Sequence, residues 1–160
     1  MKKTSFILIL VIVFIMNVRS QNNANTFDFW IGKWDAYWAD SLKGTNILTK
    51  TLNDLVIEEN FSFNDRSFLG RSWSMYDSVS KVWNQTWVDD AGAYLLFKGG
   101  KEGDNVVLSQ INPKIKNNTT VYMRMVFSNI KKNSFDWDWQ SSVDNINWKS
   151  SWAIKYKRKL

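Results

Sequence analysis

The sequence predicts an all-β chain: an antiparallel, up-and-down β-barrel of about ten strands, entered through a short N-terminal helical turn. Three observations predict it. Apolar and polar residues alternate with a period of two in one segment after another, which marks strands with a single buried face. Short turn-forming stretches join these segments, and no convincing helical pattern follows Ile31. Sequence neighbours therefore become sheet neighbours, and closure removes the open edges. Finally, the stretch FDFWIGKWDAYW at residues 27–38 crowds Phe27, Phe29 and Trp30 ahead of a glycine, then sets Trp34, Ala36 and Trp38 at alternate positions. An aromatic knot entering a strand in this way is a plug for one end of a barrel or sandwich.

Residues 21–26 are polar and precede the fold. Residues 27–31 read as the helical turn and 33–40 as the first strand. Ser41-Leu42-Lys43-Gly44-Thr45 reads as a turn, and residues 46–52 as the second strand, ending at Asn53-Asp54. Leu55, Ile57, Glu59 and Phe61 alternate in the third. Asn64-Asp65-Arg66 turns the chain into a strand over 68–76, and residues 77–81 turn it into 82–89. Asp90-Ala91-Gly92 leads to 93–98, and a Gly-rich charged hairpin loop over 99–104 leads to 106–111. Residues 112–118 form the longest expected loop, which holds the sole proline, Pro113. A long strand over 119–127 follows. Residues 129–133 turn into 135–140, where Phe135, Trp137 and Trp139 oppose Asp136, Asp138 and Gln140. Residues 141–147 turn into the last strand, in which Trp148, Trp152, Ile154 and Tyr156 oppose Lys149, Ser151, Lys155 and Lys157.

Residues 1–20 have the pattern of a signal peptide. Lys2 and Lys3 supply charge, residues 6–16 are an apolar run too short to span a bilayer comfortably, and Val18 and Ser20 precede a cleavage site at Gln21. The competing reading is an uncleaved membrane anchor. No Cys follows the run, which argues against lipid attachment there. The expected product is a single domain, residues 21–160, periplasmic or secreted, with a core of its own and no stable membrane span after cleavage. Without Cys it must hold together by packing rather than by disulfides.

Cleavage removes Lys2, Lys3 and Arg19 from a formal charge of +6. Lys155, Lys157, Arg158 and Lys159 then stand at the C-terminus of a nearly neutral body, which lacks the basic face that nucleic acid requires. The tail suits the solvation of an edge strand. The absence of both His and Cys removes the usual zinc and haem ligation, Ser-His-Asp and Cys-His catalysis, and imidazole acid–base chemistry. No metal or other cofactor is expected.

Gly32-Lys33-Trp34 has the G-x-W pattern that opens the first strand of lipocalins and related calycin barrels. It belongs to an ordered series: FDFWIGKWD at 27–35, VIEENF at 56–61, GRSWSMYD at 70–77, WNQTWVDDAG at 83–92, RMVF at 124–127 and FDWDWQSSVDNINW at 135–148. With this series the chain resembles an uncharacterised secreted bacterial family related to the lipocalins and nitrobindins. The resemblance implies a closed meander barrel with an internal cavity. Lipocalins carry small apolar ligands in that cavity. Nitrobindins bind haem there through a histidine, which this chain lacks, so haem binding is not carried over. In lipocalins a basic residue near the end of the last strand packs across the Trp of G-x-W. The resemblance thus makes Trp34 a structural plug together with Trp30, with Arg158 or Lys157 in the matching region.

Glu59 and Arg71 are the first candidate ligand-binding residues. If Asp65 centres a three-residue turn, Leu55 faces Met75, Ile57 faces Trp73, Glu59 faces Arg71 and Phe61 faces Leu69. The apolar partners put this face inward, so a carboxylate and a guanidinium meet inside. The same count across the next turn brings Trp73 to Gln85 and Arg71 to Trp87, a polar cluster with aromatic walls of the kind a small-molecule pocket needs. The bland alternative is a satisfied buried ion pair without a ligand. A different turn length flips the 68–76 strand and leaves Gly70, Ser72 and Ser74 inside. Arg124 faces water if Met123 and Met125 point in, and meets a ligand if Tyr122 and Val126 do. Trp137 is a candidate lining residue. Asp136 and Asp138, opposed by aromatics, fit a solvated outer face.

The first functional reading is therefore an exported barrel binding a small apolar or amphipathic molecule. The second is an isomerase or hydrolase acting on a lipid-like substrate through Glu59 and Arg71. The third is a carbohydrate-binding module using exposed tryptophans.

Overall fold

The computed structural model describes residues 23–159; the signal segment expected at 1–20 lies outside them. The chain enters through a single 3₁₀ turn, Asp28–Trp30, and continues as β1 (Gly32–Trp38), β2 (Ser41–Thr51), β3 (Val56–Phe63), β4 (Leu69–Asp77), β5 (Val82–Asp89) and β6 (Tyr94–Glu102). It ends with β7 (Asn105–Gln110), β8 (Lys114–Lys116), β9 (Thr119–Lys131), β10 (Ser134–Ser142) and β11 (Lys149–Arg158). Every pairing is antiparallel. β1 to β7 pair in succession, β7 pairs β9, β9 pairs β10, β10 pairs β11, and β11 returns to β1. The result is a closed ten-stranded antiparallel barrel, the architecture that alternation and short turns predict. Among the described residues no helix is long and apolar enough to cross a membrane.

Three local departures from the sequence reading have physical causes. The stretch expected as a turn, residues 41–45, begins β2, because the β1–β2 hairpin turns at Ala39 and Asp40, with φ of 50° and 56°. Two successive left-handed residues make the tight hairpin turn whose twist matches the strands. Second, the long expected loop over 112–118 contains β8, which pairs with β9 through Ile115 opposite Thr120.

Third, four residues rather than three separate Phe63 from Phe68, whose carbonyl accepts the Phe63 amide at 3.0 Å. Asp65 Oδ1 accepts from the Ser67 amide and hydroxyl at 3.0 and 2.7 Å and shapes this longer turn. The register moves by one residue. Ile57 faces Ser74, Glu59 faces Ser72, and Phe61 faces Gly70. Gly70, Ser72 and Ser74 are buried, while Trp73 and Met75 are exposed. The Glu59–Arg71 pairing is therefore not made.

Most of the core sits at the end of the barrel where β1 starts. Phe27 is fully buried there, edge-on to Trp83 and Phe127 at 4.9 and 5.4 Å between ring centroids. Phe29 meets Phe135 and Trp30 meets Phe127 in the same edge-to-face manner. Each such ring removed from water contributes about 1.5–3 kcal/mol. Trp34 is also fully buried, and its Nε1 donates to the Trp30 carbonyl at 2.7 Å. Arg158, opposite Trp34 in the register, lays its guanidinium over the indole at 4.0 Å. The same guanidinium donates to the carbonyls of Ile31 and Phe29 at 2.8 and 3.0 Å. Gly32 makes room for it: its φ is 127°, and a Cβ there would collide with Arg158 Nη1.

Candidate functional site

Above the plug the lumen holds a cavity of about 280 Å³. Its lining runs from Trp30 at the plug to Phe68, Asp89, Ala93 and the exposed Lys114 at the other end. Aromatic and aliphatic side chains make the walls, among them Phe61, Trp87, Leu95, Phe97, Met125, Trp137, Trp139 and Trp152. They come from the inward faces of β3, β5, β6, β9, β10 and β11, because alternation delivers every second residue to the lumen. Gly70 matters here: the Trp87 ring lies where a Cβ would stand, between Phe61 and a stacked Phe68 at 6.4 Å each. Trp87 Nε1 donates to Asp89 Oδ2 at 2.9 Å and so holds that ring against the rim.

One wall of the lumen is polar. Glu59, on β3, is 5% exposed. Asn46 Nδ2 from β2 donates to its Oε1 at 2.6 Å, and Ser72 Oγ from β4 donates to its Oε2 at 2.5 Å. Gln85 Nε2 from β5 donates to Ser72 and Ser74 at 3.2 and 3.0 Å. These positions interlock because the β2–β3, β3–β4 and β4–β5 registers carry Asn46, Glu59, Ser72, Ser74 and Gln85 around the barrel wall. Among the described residues no cation pairs with Glu59, and burial pushes its carboxyl up to about 7 against the two hydrogen bonds that pull it down. Tyr156, buried beside it on β11, has its phenol raised well above the ordinary range, first by burial and then by the Glu59 charge.

Of the residues picked from sequence, Glu59, Gln85, Trp87 and Trp137 line the cavity together. Arg71 does not join them: it lies on the other face of β4, and its Nη1 donates to the Gly70 carbonyl at 2.8 Å. Trp73 is on that same outer face. Arg124 is also outside, since its neighbours Met125 and Phe127 take the inward positions. Its Nε donates to Gln140 at 2.7 Å and its guanidinium lies 4.0 Å from the Trp148 ring centroid. Asp136 and Asp138 share the outer face of β10, where they accept from Asn129 and from Ser150 and Gln140. Trp30 and Trp34 form the plug floor with Arg158 across it. Sequence reasoning missed Asn46 and Tyr156 as parts of the polar wall and held Ser72 and Ser74 only as the flipped alternative.

Among the described residues no cluster of three or more acidic, His or Cys side chains is placed to hold a metal ion. An inward carboxyl, amide and phenol within an aromatic cavity can orient the polar end of a small molecule whose body is apolar. The closed antiparallel barrel is consistent with a calycin-like fold; no protein-family model and no curated protein matches the sequence.

Proposed function

We propose that this chain is an exported binding protein that holds a small apolar or amphipathic molecule in its barrel lumen. The observation that carries this reading is the aromatic cavity of about 280 Å³ above the plug, with one polar wall. Export rests on the signal pattern of residues 1–20. Catalysis through a Glu59–Arg71 pair finds no support, because those side chains lie on opposite faces of the barrel wall. A sugar-stacking platform finds little: among the described residues Trp73 is the one exposed tryptophan.

Mass spectrometry of molecules extracted from the purified protein tests the proposal. The expected result is a small apolar or amphipathic compound at near-stoichiometric amount, lost when Trp137 is replaced by Arg to fill and charge the lumen. A protein that carries no such compound, and takes up no neutral apolar dye such as N-phenyl-1-naphthylamine, would overturn it.

A further inference from the structure

A buried carboxyl costs free energy that a wholly apolar cargo leaves uncompensated. The arrangement around Glu59 has a direction. The Ser72 hydroxyl hydrogen goes to Glu59, so the Ser72 oxygen is left to accept from Gln85 Nε2. This order fixes which way the Gln85 amide points. Its Oε1 is buried and has no hydrogen-bond partner. The donors of Asn46, Ser72 and Gln85 are thus turned to the wall itself. Of the three polar residues of this wall that reach the cavity, Glu59 and Gln85 have acceptors to offer, and the Tyr156 phenol can accept as well as donate. The remaining charged groups of the lining, Asp89 and Lys114, stand at the rim.

We propose, building on the ligand-binding reading above, that the lumen takes an amphipathic amine. Its ammonium group donates to Glu59 and Gln85, and its apolar body lies against Trp87, Trp137 and Trp152. An ammonium carries three donors and no acceptor, which complements a wall of acceptors. The faces of tryptophan rings attract a cation as well as an apolar chain. An anionic ligand would instead share the lumen with the Glu59 charge. Trp30 Nε1 is a buried donor without a partner, but it belongs to the plug and a single neutral donor does not offset a carboxylate.

The groups facing Glu59 are Asn46 from β2, Ser72 from β4, Gln85 from β5 and Tyr156 from β11. Among them Tyr156 alone titrates, and it stays neutral through the physiological range because its phenol is raised. Amine binding therefore follows the ionisation of Glu59, which burial places near 7.

The test compares three probes of one shape, 4-phenylbutylamine, 4-phenylbutan-1-ol and 4-phenylbutyrate, titrated into the purified protein by calorimetry. At pH 8 the amine is expected to bind about tenfold or more tighter than the alcohol, with the acid weakest. Between pH 8 and pH 6 amine affinity is expected to fall about tenfold as Glu59 takes a proton, and alcohol affinity to stay constant. Glu59→Gln should bring the amine to the level of the alcohol and abolish the pH dependence, with a melting curve to show that the variant folds. The pH profile of the parent protein decides the matter even if the variant does not fold. Equal binding of amine and alcohol, or tightest binding of the acid, would overturn the amine assignment and leave the lumen a binding site. Binding of none of the three, with no copurifying compound, would overturn both.

Discussion

Glu59 holds its proton more tightly in the folded barrel, where its value is about 7, than in the unfolded chain, where it is near 4.5. Between those values the folded state binds more protons than the unfolded one. Stability therefore falls as pH rises through that window and levels off above it. Desolvation is the main cause and the hydrogen bonds from Ser72 and Asn46 offset part of it. The loss amounts to about 3 kcal/mol. Glu59→Gln removes this titration and leaves no charge stranded, since no cation among the described residues pairs with Glu59. Urea unfolding at pH 5 and pH 8 should show a flatter pH response for the variant and a gain over the parent at pH 8. An unchanged pH response would show that another group is responsible. Adding Arg71→Met should change stability independently of Glu59→Gln, because residues on opposite faces of the wall share no contact.

At the scale of elements, the end of β11 is tied to the start of β1 by one side chain. Arg158 stacks on Trp34 and reaches the carbonyls of Phe29, Ile31 and Lys132. Lysine keeps the charge but has neither the flat ring-stacking face nor the fork of donors. Arg158→Lys is expected to cost about 1–3 kcal/mol in urea unfolding. Lys157→Met, one residue away and exposed, is expected to stay within about 0.5 kcal/mol. A silent Arg158→Lys would mean that the stack contributes charge alone. The strands themselves were legible because alternation is a direct imprint of a two-sided sheet. What was not legible was parity. The tetrapeptide Asn64-Asp65-Arg66-Ser67 does not announce whether three or four residues turn the chain, and that single residue decides whether Arg71 or Ser72 enters the lumen. Asn46, Ser72 and Ser74 were hidden for the complementary reason: polar side chains facing in are the positions where alternation misdirects. The Ala39-Asp40 turn escaped because alanine rarely adopts the left-handed conformation it has there.

For the molecule as a whole, the interior offers haem no imidazole and no thiolate, since the sequence contains neither His nor Cys. Of the groups lining the cavity, Tyr156 and Met125 are the conceivable axial ligands. Tyr156 is a poor one, because its raised phenol resists the ionisation that iron coordination requires. Titration with ferric haem should therefore give no six-coordinate or His-ligated spectrum. Tight stoichiometric binding with a Soret shift would contradict this and would direct attention to those two side chains.

The ring is sealed by its first and last strands, β1 on β11, with Trp34 opposite Arg158. A chain emerging from the ribosome N-terminus first can pair β1 with β2, but the other edge of β1 has no partner until β11 has been made. Until then the sheet is an open ribbon with an unpaired edge on β1, and the aromatic end has no lid across Trp34. Closure is thus the latest event that synthesis permits. A chain cut before Lys149 would keep its hairpins but expose both β1 and β10 as free edges, the condition under which strands pair with other chains rather than with their own. The last ten residues of the barrel therefore protect it from self-association as much as they complete it.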